Sequence, residues 1–353
     1  MASVLGRLAG TVALAAAVLA AGVGAVAPAA SAQPALKSAV FDPPETGWAA
    51  VHNLTETQFD DAFQHWAGQG YLVVDLDVDL APGGLRLGAT WQRNSDGRGW
   101  LAKPKLTAAE LDQWKDYARR SNLRLHDLET YTRAGTRYYG AVWVGNVEGL
   151  GGDDRHDLTY DEAVAYYEAQ RTRRLPVDVD AYPTPDGVRY ALIWLDNVEG
   201  LDWRLHLSLP DAAFRAAFDS YAATLRTLVV DSVTAGGEQR YAGIWLANPG
   251  GRQFRMRRDL TALEYANWWH RYADEGFREI GYERYETAQG TRYATVWRQS
   301  SNCPQWALRG LVDQRVKREL DDFLVPGISV AVVQDGEVRY LRGFGDADIE
   351  AGV

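Results

Sequence analysis

A tryptophan recurs at almost constant spacing through most of the chain. Trp91, Trp143, Trp194, Trp245 and Trp297 are separated by 52, 51, 51 and 52 residues. A fixed period of this length is the signature of an architecture built from one repeated supersecondary unit. The sequence therefore predicts five tandem repeats of about 51 residues, which we place at residues 48–302.

The residues before each tryptophan form a related block. The last four copies read YYGAVW, RYALIW, RYAGIW and RYATVW, whereas the first, RLGATW, has diverged. Divergence of a terminal copy is common in repeat proteins, because an end repeat has a different environment from the internal ones.

A hydroxyl-bearing residue stands upstream of each tryptophan, followed three residues later by an acidic or amide residue. The pairs are Thr55 and Gln58, Thr107 and Glu110, Thr159 and Glu162, Ser208 and Asp211, and Thr261 and Glu264. This spacing is typical of the capping box that begins a helix. Apolar residues then follow at helical spacing, so each unit is predicted to open with an amphipathic helix.

Two strand-like runs around a glycine turn follow each predicted helix. On the second run Tyr190 and Trp194 share one face and Ile193 points to the other, so both faces of the sheet should be covered. The fold class is therefore α+β, with five helix-strand-strand repeats joined by Gly-rich loops such as residues 146–152 and 197–202. Such units could close into a propeller-like toroid or stack as an open array, and the period is compatible with both.

The Arg-Tyr-x-x-Val/Ile-Trp block at this period resembles the bacterial tandem repeat in the amino-terminal region of polyglycine hydrolases. The resemblance covers residues 48–302. It implies that a β-lactamase-like domain follows the repeats and that the repeats themselves carry no chemistry.

The pattern changes over residues 303–353. A helical stretch leads into two apolar runs around Asp335 and Gly336, which is a hairpin signal. This segment resembles the beginning of the serine β-lactamase, penicillin-binding-protein and esterase superfamily, in particular its class C-like branch. The resemblance implies a Ser-x-x-Lys nucleophile motif, but none of the five lysines has a serine three positions before it.

We therefore interpret residues 303–353 as the N-terminal fragment of a serine hydrolase domain and expect this chain alone to be inactive. No catalytic residue is assigned. A Tyr-x-Asn string at Tyr265 and Asn267 lies in a predicted repeat helix and is not taken as catalytic.

The first 32 residues read as a signal peptide. Arg7 precedes an apolar run from Leu8 to Val26, and the small residues Ala30, Ser31 and Ala32 follow. A retained membrane helix is the alternative, but the run is mostly alanine. The prediction is a secreted, extracellular protein with a linker at residues 33–47 and no membrane association after cleavage.

Charge and cysteine content exclude several function classes. A net charge of −10 argues against nucleic-acid binding, which requires a basic surface. Cys303 is the only cysteine, so these residues cannot form an internal disulfide or a cysteine-based zinc site. No phosphate-binding or dinucleotide-binding glycine motif occurs, and we predict neither a cofactor nor a metal.

Two acidic groups are candidates for cation binding. Asp75, Asp77 and Asp79 alternate along a predicted strand and so share one face, which suits a hard cation. A solvated strand face or protected sheet edge is the simpler interpretation, and we favour it. Residues 153–157, with three aspartates and His156, are interpreted as a solvated loop.

Histidines 52, 156 and 206 recur near the predicted helix starts and are interpreted as structural. The tryptophans Trp100 and Trp203 are the possible substrate-facing aromatics, able to stack on a sugar or peptide.

The sequence thus favours a secreted serine hydrolase of the β-lactamase-related type, whose repeats recognise or position a peptide or a cell-wall or host polymer. The alternative is a non-catalytic extracellular binding module made of the repeats. A Ser-x-x-Lys motif encoded shortly beyond Val353 would distinguish the first from the second.

Overall fold

The computed structural model describes Asp42, residues 47–81 and 83–300, and residues 312, 315, 316, 318–320, 326–334 and 337–345. The predicted signal peptide and Cys303 lie outside these residues. Residues 48–299 contain five copies of one unit, each a strand, a helix and two further strands.

The five units have closely similar element lengths. In chain order they are β1 (Trp48–Leu54), α1 (Glu56–Gly68), β2 (Tyr71–Ala81) and β3 (Gly84–Arg93); β4 (Trp100–Leu106), α2 (Ala108–Arg120), β5 (Leu123–Arg133) and β6 (Thr136–Gly145); β7 (Gly152–Leu158), α3 (Tyr160–Gln170), β8 (Arg174–Thr184) and β9 (Gly187–Asp196); β10 (Trp203–Pro210), α4 (Asp211–Tyr221), β11 (Leu225–Ala235) and β12 (Glu238–Ala247); and β13 (Phe254–Leu260), α5 (Ala262–Asp274), β14 (Phe277–Thr287) and β15 (Gly290–Gln299).

Each unit forms its own open, three-stranded antiparallel sheet. The last strand of the unit is central, as in the order β1-β3-β2, and the strand after the helix is at one edge. The repeated tryptophans lie on the central strands and are at most 1% exposed. The α+β class and the five repeats are therefore confirmed.

The fourth residue of each helix is part of the buried core, as is the repeated tryptophan. Phe59, Leu111, Ala163, Phe214 and Tyr265 occupy this helix position, and all five are buried. In the fourth unit the Phe214 ring lies 5.2 Å from the Trp245 ring, centroid to centroid. Burying an aromatic pair of this kind is among the largest stabilising contributions of a small unit, about 3–5 kcal/mol for removal of the phenylalanine.

The strand before each helix was missed by the helix-strand-strand prediction. β1, β7 and β13 each contain an irregularity in their pairing with the central strand, and Asn53, Asp157 and Asp259 have positive φ angles of 54°, 62° and 58° there. The bulge interrupts the two-residue alternation by which a strand is recognised in sequence. Residues 153–157 therefore lie on strand β7, and their interpretation as a loop is wrong.

Four of the five predicted capping boxes are present. Thr55, Thr107, Thr159 and Thr261 accept a hydrogen bond from the backbone N–H three residues later, and the side chain of that residue accepts from the threonine N–H. The box predicted at Ser208 and Asp211 is wrong, because α4 has Pro210 as its N-cap and no side-chain cap. Leu209 pairs with Tyr241 as Leu106 pairs with Tyr139, so Pro210 occupies the position of Thr107.

The C-terminal part contains a second structural element. β16 (Gly327–Gln334) and β17 (Glu337–Gly345) pair antiparallel, which confirms the predicted hairpin, although Asp335 and Gly336 themselves lie outside the described residues. Val316, in a helical stretch, and Phe344 are buried together. Among the helices of the described part, none is long and apolar enough to cross a bilayer.

The capping difference between the second and fourth units can be tested directly. Thr107→Ala should lower the free energy of unfolding by about 1 kcal/mol, because it removes the acceptor for an orphan helix N–H. Ser208→Ala, in the fourth unit, should cost less than this, since Ser208 caps no helix and loses only its hydrogen bond with Tyr190. Urea unfolding followed by circular dichroism measures both; equal losses would contradict the assignment of the helix start.

Candidate functional site: a buried carboxylate cluster

The strands that follow the helices come together across the units. β2 contacts β5, β5 contacts β8, β8 contacts β11, β11 contacts β14, and β14 contacts β2. We call these five the contact strands. Each is an edge strand of its own sheet, so one side of its backbone has no strand partner.

Acidic residues occupy two equivalent positions of the contact strands. The seventh residue is acidic in every unit and the fifth is acidic in the first three. We call the set the carboxylate cluster; it consists of Asp75, Asp77, Asp127, Glu129, Asp178, Asp180, Asp231 and Glu283. These side chains line two adjoining cavities that share Glu129, Asp231 and Glu283.

The cluster satisfies backbone groups that the sheet edges leave unpaired. The N–H of Leu76 donates to Asp127 Oδ2 and the N–H of Leu128 donates to Asp178 Oδ2, both at 3.0 Å. In each case the carboxylate comes from the next unit along the chain. An unpaired edge N–H is costly when buried, and a charged acceptor makes one of the stronger hydrogen bonds to it.

The same contact joins the last unit to the first. The N–H of Tyr282 donates to Asp75 Oδ2 and the N–H of Arg284 donates to Asp77 Oδ1, each at 3.1 Å. The Arg284 side chain also donates to Asp79. Between the third and fourth units the N–H of Ala181 donates to Asp231 Oδ2 at 2.5 Å.

The fourth and fifth units are joined differently. Val229 and Gly281 stand at the fifth position of β11 and β14, where the first three units have aspartate. The Asp231 and Glu283 side chains instead hydrogen-bond each other. Such a bond between two carboxyl groups requires that they share a proton.

Burial raises the pKa of the whole cluster. It raises the pKa of Asp77, Asp178 and Asp231 to about 7, although backbone hydrogen bonds to these groups oppose the shift. Burial, together with the charges of Asp180 and Glu283, raises the pKa of Glu129 well above its usual range. Near neutral pH the cluster therefore contains both protonated and ionised carboxyl groups.

Two other buried groups, His126 and Asp42, have lowered pKa values. Burial and the nearby Arg124 and Arg98 lower the pKa of His126 to about 3, so its ring is neutral at physiological pH. Burial works against ionisation of Asp42, but four arginines hold its pKa well below the usual range; they are Arg226, Arg278, Arg298 and Arg252. Asp42 thus forms ion pairs with a largely buried group of four arginines.

The three aspartates singled out in β2 do not form a solvated face. Asp77 is only 3% exposed, so the solvated interpretation that the sequence favoured is wrong for it. The sheet-edge part of that interpretation is right, because β2 is an edge strand. The edge is covered by β5 and β14 rather than by water.

Trp100 and Trp203 are both partly buried at the start of a strand that precedes a helix. Trp100 packs on Phe63, with ring centroids 5.5 Å apart, and Trp203 packs on Trp194 at 5.4 Å. Trp48 takes the equivalent place in the first unit. This recurrence assigns the position a packing role, and contact with a substrate remains a prediction for both residues.

The recurring histidines are held by structural partners. His52 Nε2 lies 2.8 Å from Glu279 Oε2, and the hydroxyl of Tyr265 donates to Glu279 Oε1 at 2.9 Å. His206 Nε2 lies 3.0 Å from the Tyr221 hydroxyl. Tyr265 is thus part of a buried network between the first and fifth units, away from Asn267 of the Tyr-x-Asn string.

Six members of the cluster were missed in the sequence: Asp127, Glu129, Asp178, Asp180, Asp231 and Glu283. A signal was present, because an acidic residue precedes each repeated tryptophan by 14 residues, as in Asp77 to Trp91 and Glu283 to Trp297. The position is aspartate in three units and glutamate in two, which hides it from a search for identical residues.

Substitutions at Asp127 can separate the role of the cluster as a hydrogen-bond acceptor from the effect of its charge. Asp127→Ala should destabilise the protein by about 2 kcal/mol relative to Asp127→Asn, since only alanine leaves the buried N–H of Leu76 unpaired. Both variants remove the same negative charge. Denaturant unfolding of the pair measures the difference, and equal stabilities would show that Asp127 does not act as an acceptor.

The raised pKa values predict a pH dependence. Asp77, Asp178 and Asp231 have pKa values of about 7 in the folded protein and an ordinary value of 3.8, so at about pH 6.5 only the folded protein still holds these protons. Their stabilising contribution is lost as the pH rises through 7. In metal-free buffer the Tm should fall by about 5 °C between roughly pH 6.5 and 8.5.

Asp178→Asn should reduce that fall in Tm, because asparagine has no proton to lose. A Tm that stays constant or rises over the same range would contradict the shared protonation of the cluster.

The comparisons with known proteins bear on the repeats alone. The family model described as polyglycine hydrolase-like, structural repeat, matches residues 45–94, 97–146, 155–197, 200–248 and 251–300. No protein with a curated description matches the chain. The five matched segments coincide with the five units of the fold and cover more than half of the chain. The chain therefore belongs to the family of polyglycine hydrolase-like structural repeats.

Proposed function

We propose that the five units close into a ring, the toroid that the repeat period allows, with the contact strands innermost. The observation that supports the ring is the cyclic order of strand contacts, in which β14 returns to β2. The carboxylate bonds follow the same order, and the bonds from β14 to Asp75 and Asp77 span more than 200 residues of sequence.

We further propose that this ring is the non-catalytic recognition module of a secreted serine hydrolase. Catalysis requires one asymmetric group of residues, whereas the polar groups of the repeats recur at equivalent positions from unit to unit. A scaffold of this kind is suited to holding a polymer beside a separate reactive site. Export through residues 1–32 and hydrolytic chemistry in the β-lactamase-like segment that begins after residue 302 complete the proposal.

The family description suggests a ligand to test first, a glycine-rich peptide. A glycine chain has no side chains, so it can be recognised only through its backbone N–H and C=O groups and its extended shape. Polar edges and loops repeated around a ring would offer such a chain several equivalent contacts, whose effects combine when they are engaged together.

Acylation and binding test the two parts of the proposal. The secreted product of the gene and the 353-residue chain are each treated with a fluorophosphonate probe, and each is titrated with a fluorescent glycine-rich peptide. We expect both to bind the peptide, and we expect the probe to label the secreted product at a serine outside residues 48–300.

A peptide of the same length with alternating glycine and proline is the control, because proline removes half of the backbone donors. Binding without labelling of the secreted product would favour the alternative, a free-standing extracellular binding module. Labelling without peptide binding by the 353-residue chain would contradict recognition by the repeats.

A further inference from the structure

We propose that Asp77, Glu129 and Glu283 form a binding site for a hard divalent cation of the calcium type. The three residues lie on β2, β5 and β14, the contact strands of the first, second and fifth units. One carboxylate oxygen from each lies within 4.8 Å of the others. The site is independent of the hydrolase assignment.

The spacing of the oxygens suits calcium. Ca²⁺ binds oxygen at about 2.3–2.6 Å, so two ligands on opposite sides of the ion are about 5 Å apart and adjacent ligands are closer. Three oxygens within 4.8 Å of one another can therefore surround one ion. Mg²⁺, with bonds of about 2.1 Å and a strict octahedron, tolerates less variation in the positions of its ligands.

A second observation points to a ligand at this place. Asp77 is 3% exposed, and its Oδ1 accepts from the N–H of Arg284. Its other oxygen, Oδ2, is buried with no hydrogen-bond partner among the described residues, although the side chain lines the cavity together with Glu129 and Glu283. A buried carboxylate oxygen without a donor is destabilising, and a cation supplies the missing partner.

The protein offers little positive charge of its own at the site. None of the salt bridges formed within the described part of the chain includes Asp77, Glu129 or Glu283, and the side chain of Arg284 is bound to Asp79 and Glu286.

The surrounding groups favour a hard ion. The three ligands are carboxylates, which suit Ca²⁺ and Mg²⁺ better than the soft or nitrogen-seeking metals. Asp180 and Asp231 occupy the same strand position in the third and fourth units, and Asp180 Oδ2 is likewise buried without a hydrogen-bond partner in the described part. Asp180 thus offers a further oxygen ligand in the same cavity.

Binding would link units that are distant in sequence. Asp77 and Glu283 belong to the first and last repeats, so one ion would strengthen the contact between them while Glu129 attaches the second repeat. We therefore expect calcium to act as a structural ligand that stabilises the folded repeats by mass action.

The test uses the full chain after treatment with a chelator, at pH 7.5. Calcium at 1 mM should raise the Tm by about 5 °C, and isothermal titration should show saturable binding with one site per chain. Magnesium at the same concentration should raise the Tm less. Glu129→Gln should abolish the calcium-dependent rise and weaken binding by about tenfold or more.

A purely structural role for Glu129 predicts a different pattern. Under the proposal, Glu129→Gln in chelator should be at least as stable as the unsubstituted chain, because the substitution removes a repelling charge. Asp186→Asn, which removes an exposed carboxylate between β8 and β9, is the matched control and should keep the full calcium response.

Absence of any calcium response in the folded, unsubstituted chain would overturn the proposal. So would an undiminished response in Glu129→Gln, because calcium would then bind elsewhere. Asp77→Asn should also lose the response; should that variant fail to fold, Glu129→Gln decides alone, since no hydrogen bond to Glu129 is present among the described residues.

Discussion

The contact between a carboxylate of one unit and a backbone N–H of the preceding unit is the interaction on which the arrangement of the repeats depends. Each unit is a small open sheet, and its contact strand exposes a row of unpaired amides. Asp127, Asp178 and Asp75 accept from these amides at 3.0–3.1 Å. An aspartate is short enough to reach the amide and leaves no free strand edge for a foreign chain to join. The repeats thereby associate through side chains without forming one continuous sheet.

The acidic contact is destabilising in one respect, because it places eight carboxyl groups close together around two adjoining cavities inside the protein. Desolvation and repulsion together raise their pKa values, and bound protons or a cation must reduce the charge. The aromatic cores on the other face of each sheet, with Trp91 and its equivalents almost completely buried, supply the apolar stabilisation that makes this tolerable. The number of repeats and the chemistry of their contacts are therefore linked, since each added unit brings another acid to the same cavities.

Much of the fold could be predicted from the sequence, and the failures have identifiable causes. The tryptophan period gave the number of units, and the threonine boxes gave four of the five helix starts, because both signals depend on local structure alone. The strands before the helices were missed because bulges at Asn53, Asp157 and Asp259 break their alternation. Of the carboxylate cluster, only Asp75 and Asp77 were singled out in the sequence, together with Asp79 on the same strand. Its other members are buried by contacts between units about 50 residues or more apart, and no local pattern reports such burial.

The polar contacts are distributed unevenly among the junctions between units, and this has a consequence for how the chain holds together. The fourth and fifth units are joined covalently through a short loop and lack the aspartate-to-amide bonds at the fifth position. The fifth and first units have no such peptide connection. They share two aspartate-to-amide bonds and, in addition, the Arg284 to Asp79 pair and the His52 to Glu279 contact. Gly88 also allows the Tyr282 ring to pack closely, because a Cβ atom at position 88 would lie 2.7 Å from that ring. Tethered neighbours have a high effective concentration and can rely on weak contacts, whereas untethered neighbours must compensate with specific ones. If the peptide connection were moved from one junction to the other by circular permutation, the untethered junction would be the one without aspartate-to-amide bonds, so the order of the units along the chain is itself a determinant of stability.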